Sequence, residues 1–285
     1  MNTMSDHVVR AITEDGAFRV IAVRTTETAQ GVVQAQGANG PRAHLLAEML
    51  TGAVLVRETM APDLRVQGIL QGDDPKTRIV ADSFPDGTTR GLVQLREGAE
   101  VKLGERSVLQ MMRTLHNGQI QQGMVQASAD GGISGALMAY MQNSEQVVSF
   151  VAVGALMNDE GGVAAAGGYI VQLLPEVGEG PLMVMTERLK DFPSIETLLA
   201  QGDAAPERLL YELLYGMPFQ QVGGGQLRYA CRCSEERLLA TLMSLPRSDI
   251  RELAQDGDVL EIDCDYCGRH YRLSPQILRG MLAEN

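Results

Sequence analysis

The sequence predicts an α+β protein: a mixed sheet-and-helix core, a helical linker and a small C-terminal module built on four cysteines. Three features of the chain predict it. Residues 1–178 mix segments of period-two alternation with apolar residues at helical spacing. Residues 179–230 read as short amphipathic stretches divided by Pro and Gly. Residues 231–285 hold every cysteine of the chain, Cys231, Cys233, Cys264 and Cys267. At 285 residues the chain suits one large domain or two unequal ones, on a scale of about 150 residues per domain.

In the first part, Phe18–Val23 alternates as a strand does. Over Arg42–Val56, Leu45, Leu46, Met49, Leu50 and Val54 recur at helical spacing. Strands are expected at Leu64–Leu70, Arg78–Asp82 and Gly91–Leu95, with Asp86-Gly87 as a hairpin turn. Further strands are expected at Gly118–Gln126, Val147–Val153 and Tyr169–Leu174, and a helix at Gly135–Gln142. Gly161-Gly162 and Gly167-Gly168 lack the G-x-G-x-x-G spacing of a phosphate loop and read as a strand connection. Met111, Met112, Met138 and Met141, among 15 methionines, are assigned to the core. The competing reading is an adaptable Met-rich binding surface.

In the linker, Leu182–Asp191 stops at Phe192-Pro193, and Ser194–Gln201 stops at Gly202. Pro206 opens a helix with Leu209, Leu210, Leu213 and Leu214 on one face, closed by Met217-Pro218. Helices this short need a surface to pack on. Gly223-Gly224-Gly225 reads as a flexible joint.

In the last part, Ser234 caps a helix with Glu235 and Glu236 in its first turn and Leu238, Leu239 and Leu242 as its apolar face. Pro246 ends it. Ser248 is expected to cap a second helix, with Ile250 and Leu253 apolar and Gly257 as its stop. Val259–Asp263 and Tyr271–Leu273 read as a strand and its return, and Ser274-Pro275 opens a final helix. A unit of roughly 50 residues needs help from a metal to fold.

Composition removes several function classes. With 24 Lys and Arg against 36 Asp and Glu, the net charge is −12, which repels phosphate backbones, so no nucleic-acid partner is expected. Lys76, Lys102 and Lys190 are the lysines, and none completes a P-loop. No run of about 18 apolar residues predicts a membrane span, and Met1–Arg10 is polar. A cytoplasmic location with reduced thiols follows as the expectation. G-x-S-x-G and H-E-x-x-H are missing, and Asp263 rather than Pro precedes Cys264, so no catalytic signature is complete.

The cysteines read C-x-C, then thirty residues, then C-x-x-C. Two close pairs on a long spacer suit a tetrahedral four-thiolate Zn2+ site. A disulfide framework is the competing reading, disfavoured in a reducing compartment. Gly268 after Cys267 suits a knuckle turn that aims backbone N–H groups at sulfur. Asp263 and Asp265 disfavour free thiolates, against a thioredoxin-type dithiol, unless a cation reverses the local charge. His270 is either an alternative ligand or a neighbour that packs beside the site. A Cys231–Cys233 disulfide would close a very small, labile ring, and Arg232 between the thiols favours thiolate. Spacing alone leaves a purely structural site and a redox-labile one both open.

Leu227-Arg228-Tyr229-Ala230-Cys231-Arg232-Cys233-Ser234-Glu235-Glu236-Arg237 and Cys264-Asp265-Tyr266-Cys267-Gly268-Arg269-His270-Tyr271 resemble the heat shock protein 33 family. Leu70-Gln71-Gly72-Asp73-Asp74-Pro75, Asn143-Ser144-Glu145-Gln146 and Ala165-Ala166-Gly167-Gly168-Tyr169 resemble its landmarks in order. Glu235 stands where the family usually has a basic residue, and Gln119–Ser134 lacks the family's usual wording. The resemblance implies a layered core of two sheets enclosing helices (residues 1–178), a helical linker (179–230) and a zinc-binding redox-switch domain (231–285). It implies a chaperone of the holdase type, not an enzyme. Reduced protein would hold one Zn2+ on Cys231, Cys233, Cys264 and Cys267. Oxidation would release it, join Cys231–Cys233 and Cys264–Cys267, and expose apolar surface to unfolding client proteins. A homodimer when active and hand-over to ATP-dependent foldase chaperones are also implied. A zinc-ribbon interaction module without switching and a cytosolic thiol oxidoreductase remain as other readings.

Overall fold

The computed structural model describes residues 5–74, 76–95, 103–175, 177–255 and 258–283. Gly257, expected to stop a helix, lies outside them. The chain forms two compact units that divide between Ala230 and Cys231.

The first unit opens with a hairpin of β1 (His7–Thr13) and β2 (Phe18–Arg24), then α1 (Thr26–Ala35) and α2 (Pro41–Glu58). β3 (Arg65–Gln71), β4 (Arg78–Ser83), β5 (Thr88–Gln94), β6 (Val108–Thr114) and β7 (Ile120–Gln126) follow, then α3 (Gly132–Asn143), β8 (Ser149–Met157) and β9 (Val163–Leu173). α4 (Glu179–Asp191), α5 (Ile195–Gln201) and α6 (Pro206–Leu213) lead to β10 (Phe219–Gln226) and β11 (Arg228–Tyr229). One sheet has the order β10-β1-β2-β9-β8, the other β11-β5-β4-β3-β6-β7. The pairs are antiparallel except β11 on β5.

α2 packs against β8 and β9 of the first sheet and β3, β4 and β5 of the second. From Met49 through Glu58 each of its residues is buried, as befits a helix enclosed by two sheets; the stretch is apolar except for Thr51 and the paired Arg57 and Glu58 at its end. Gly52 lets α3 approach: a Cβ there would lie 2.6 Å from Cδ1 of Leu137. Met49, Met111 and Met141 lie in this core, with Met138 partly buried against it. The other face of the first sheet carries a second cluster. Phe18, Val20, Tyr169 and Val171 pack there against Ile195, Leu198, Leu209, Leu210 and Leu213 of α5 and α6. Ser194 caps α5 by accepting the Thr197 N–H, and Gly202 ends it at φ 76°. α4 buries only Met185 and leaves Met183 and Val184 in solvent.

Several expectations are corrected. Gly223-Gly224-Gly225 is not a joint but the middle of β10, seated on β1. Helical character in residues 179–230 therefore stops at Leu213. The polar N-terminal stretch supplies β1, and α1 and β6 form where no element is expected from the sequence. Gly167 and Gly168 sit inside β9, where added Cβ atoms would lie 2.7 Å from the Val23 oxygen and 2.4 Å from the Ala152 oxygen.

The second unit comprises α7 (Glu235–Leu242), α8 (Arg247–Gln255), β12 (Leu260–Asp263), β13 (His270–Leu273) and α9 (Pro275–Ala283). Ser234 caps α7 by accepting the Arg237 N–H. Ser248 does not cap α8: the helix starts one residue earlier, and the Pro246 oxygen accepts the Asp249 and Ile250 N–H groups. Leu242, Ala254, Leu273 and Leu278 are the buried members of its cluster, a small core for a unit of this size.

Candidate metal centre

The second cysteine pair is positioned by the β12–β13 hairpin. Cys264 N–H donates to the Arg269 oxygen at 2.9 Å, and Gly268 N–H returns to the Cys264 oxygen at 2.8 Å. Gly268 closes this turn at φ 67°, a conformation that a Cβ would strain. The turn aims the Tyr266 and Cys267 N–H groups at the Cys264 sulfur and the Arg269 N–H at the Cys267 sulfur, which is the knuckle expected from Gly268. The first pair lies between β11 and the N-terminus of α7. Its backbone is tied to α7 by the Arg237 guanidinium, which donates to the Arg232 oxygen at 3.0 Å.

The four sulfur atoms lie within 4.8 Å of one another. The sulfurs of Cys231 and Cys264 are 3.7 Å apart, and those of Cys233 and Cys267 are 3.4 Å apart. All four are half-buried and none is in a disulfide. Zn–S bonds of about 2.3 Å in a tetrahedron require sulfurs about 3.8 Å apart, so this donor set fits a metal ion. Among the described residues, no other group of three or more His, Cys, Asp or Glu is so placed.

Electrostatics point the same way. Burial and the neighbouring thiols push Cys267 up to about 12, and burial raises Cys264. Cys233 is also desolvated, but the neighbouring Tyr271 and the other thiols bring it down to about 7. Crowded sulfurs cannot all ionise without a cation, and a divalent ion in their midst replaces the protons. His270 is not part of the sulfur cluster, and its Nδ1 pairs with Asp263 Oδ1 at 2.7 Å. The sequence marks Tyr271 only as the start of a return strand. The signal for its role is positional, since alternation along β13 turns it and Leu273 to the same face.

The sequence matches the family profile described as "Hsp33 protein" over residues 6–274. The chain belongs to the Hsp33 family. Related 33 kDa chaperonins match it over nearly its whole length. The 33 kDa chaperonin of Syntrophotalea carbinolica is 29% identical, covering 98% of this chain and 100% of the relative. That of Ruminiclostridium cellulolyticum is 30% identical, covering 99% of each. The crystal structure of the Thermotoga maritima 33 kDa chaperonin, a heat shock protein 33 homologue, superposes with a TM-score of 0.81 at 24% identity, covering 98% of both chains, so the fold is shared. The segment Asn143-Ser144-Glu145-Gln146 has a structural job here. Glu145 accepts the Tyr140 hydroxyl at 2.5 Å and pairs with Arg113 at 2.7 Å, and Gln146 turns the chain at φ 58° into β8. This is a chaperone family with a four-cysteine cluster capable of holding a metal ion. Among the described residues no helix is long and apolar enough to cross a membrane.

Proposed function

We propose that this protein is a redox-regulated holdase and not an enzyme. Its domains are a core (1–178), a linker (179–230) and a switch (231–285). The observation that carries the reading is the meeting of four sulfurs from two distant pairs in a chain with no other cysteine. Cys231, Cys233, Cys264 and Cys267 hold one Zn2+ in the reduced protein. The ion supplies the positive charge that keeps four thiolates together. Because the second unit has so little apolar core, its folding free energy depends on that ligand set. A peroxide oxidises each close pair. In each pair two thiolates give up two electrons, one hydrogen peroxide takes them up with two protons from solvent and leaves as two waters, and the products are Cys231–Cys233 and Cys264–Cys267. The module then loses structure, α4–α6 loosen, and the apolar face they cover takes up unfolding client proteins. The active form is a homodimer that passes clients to ATP-dependent foldase chaperones. Function in the reducing cytoplasm keeps the thiols reduced until an oxidant arrives.

The test follows zinc content, free thiols and suppression of client aggregation together during peroxide treatment. Zinc loss, thiol loss and suppression should rise on one time course. Peptide mapping should find the two short-loop disulfides. Full suppression with zinc retained, or Cys231 joined mainly to Cys264, counts against the switch.

A further inference from the structure

Residues 219–230 close one edge of each sheet in the first unit. β10 lies antiparallel on β1 over seven residues of that strand. Further on, Arg228 N–H donates to the Gly87 oxygen at 3.1 Å and Ala230 N–H to the Thr89 oxygen at 3.2 Å, which seats β11 on β5. Leu227 anchors the segment between them: its side chain is buried between the sheets, and its N–H donates to the Asp6 oxygen at 3.0 Å.

β10 is held almost wholly by its main chain. After Phe219 each of its residues is exposed, and its sequence there is Gln-Gln-Val-Gly-Gly-Gly-Gln. The pairing with β1 therefore reads hardly any β10 side chain. β10 is also weak. Glycines in a strand interior lose the most conformational freedom on folding. The register slips at Arg10/Ala11, and Gly223 sits at φ 142° beside the slip. β1 is the opposite. His-Val-Val-Arg-Ala-Ile-Thr is rich in β-branched residues and held in regular register by β2 from His7 to Ile12. A bulged, glycine-rich outer strand makes a blunt sheet edge; a regular β-branched strand makes a template for another chain.

We infer that the β1 edge is a client-binding surface: once β10 lifts, an extended segment of an unfolding polypeptide takes its place by antiparallel strand addition. This rests on the holdase reading above and names the chemistry of the partner. The partner is an extended main chain with unpaired N–H and C=O groups, and little is asked of its side chains. Main-chain hydrogen bonds carry affinity in strand addition, which suits partners of unrelated sequence. The strap that must leave is covalently next to Cys231, five residues beyond the end of β10.

Gly225 allows a test in both directions. The Leu227–Asp6 bond and the two-residue alternation of an antiparallel ladder place the Gly225 N–H on β1, and the Val8 and Arg10 amides on β10. Gly225→Pro removes that donor without touching β1 or the cysteines. Gly225→Thr adds a strand-former where a Cβ would meet only Val8 Cγ1, at 3.8 Å. The full-length, zinc-loaded chain is used, with reduced and alkylated α-lactalbumin as a permanently unfolded probe and hydrogen exchange read at Val8 and Arg10. In Gly225→Pro these amides should exchange roughly tenfold faster than in the parent and recover protection when the probe binds. Gly225→Thr should need severalfold longer peroxide exposure than the parent to capture the probe. Val8 and Arg10 amides that stay fast in the probe-bound Gly225→Pro protein would overturn the edge assignment and leave the holdase reading intact. A parent chain that captures no probe before or after peroxide removes the holdase reading itself. If Gly225→Pro does not fold, Gly225→Thr decides alone, and unchanged or faster capture after peroxide overturns the inference.

Discussion

Glu48 sits on α2 with its side chain 12% exposed, 3.8 Å from His44 Nδ1. Burial, and then the Glu196 carboxylate of α5, push it up to about 8 from 4.5. Folding therefore favours its protonated form. Between about pH 4.5 and 8 the folded chain holds one more proton here than the unfolded chain. Each pH unit upward across that window subtracts about 1.4 kcal/mol of stability. Below pH 4.5 both states are protonated and nothing is lost; above 8 the loss is complete. Glu48→Gln should match the parent near pH 4.5 and exceed it by a few kcal/mol at pH 8.5, read by urea unfolding. A difference independent of pH would refute the assignment. At the metal centre, Cys264→Ser removes the sulfur that receives two backbone N–H groups and touches Cys231. Zinc per chain should fall well below one, measured by metal analysis after dialysis against a weak chelator. Full occupancy in that variant would contradict a four-sulfur site.

α5 and α6 cover the apolar face of the first sheet with few residues, among them Leu210 and Leu213, both almost fully buried. Truncating a buried Leu to Ala costs ~2–5 kcal/mol, as much as so short a docked segment can supply. The Leu210→Ala, Leu213→Ala double variant should capture unfolding proteins without oxidant and with its zinc in place. It should also be cut faster by protease between Gly178 and Tyr229. Behaviour identical to the reduced parent would mean that α4–α6 are only a tether. These helices were legible in the sequence because breakers and caps are local: Ser194, Gly202, Pro206 and Ser234 act on their own turns. The cysteine site was legible for a similar reason, since pair spacing is written along the chain. β10 was not, because Gly-Gly-Gly carries no alternation and its strand character comes from β1, far away in sequence. Glu48 was not, because its perturbation depends on burial by α5 and on Glu196, which only the fold brings near.

At the scale of the molecule, the two units differ in what holds them. The first has two extensive apolar clusters, whereas the second has, among the described residues, five buried apolar residues and the sulfur set. Stripping the metal from reduced protein with a strong chelator should therefore unfold the second unit and leave the first near its original melting temperature. Calorimetry would show one transition lost and one kept. Both transitions surviving would mean that the second unit folds without metal. The place of β10 beside β1 also has a consequence for how the protein is made. β1 leaves the ribosome well before its partner in the strap, which lies roughly 200 residues downstream. At about 5–20 residues per second, that interval lasts on the order of 10–40 s. Every newly made copy thus passes through a stage in which β1 has no β10 to cap it, before Cys231 has been synthesised. In birth order, the capped state comes last, and the molecule must learn to be closed.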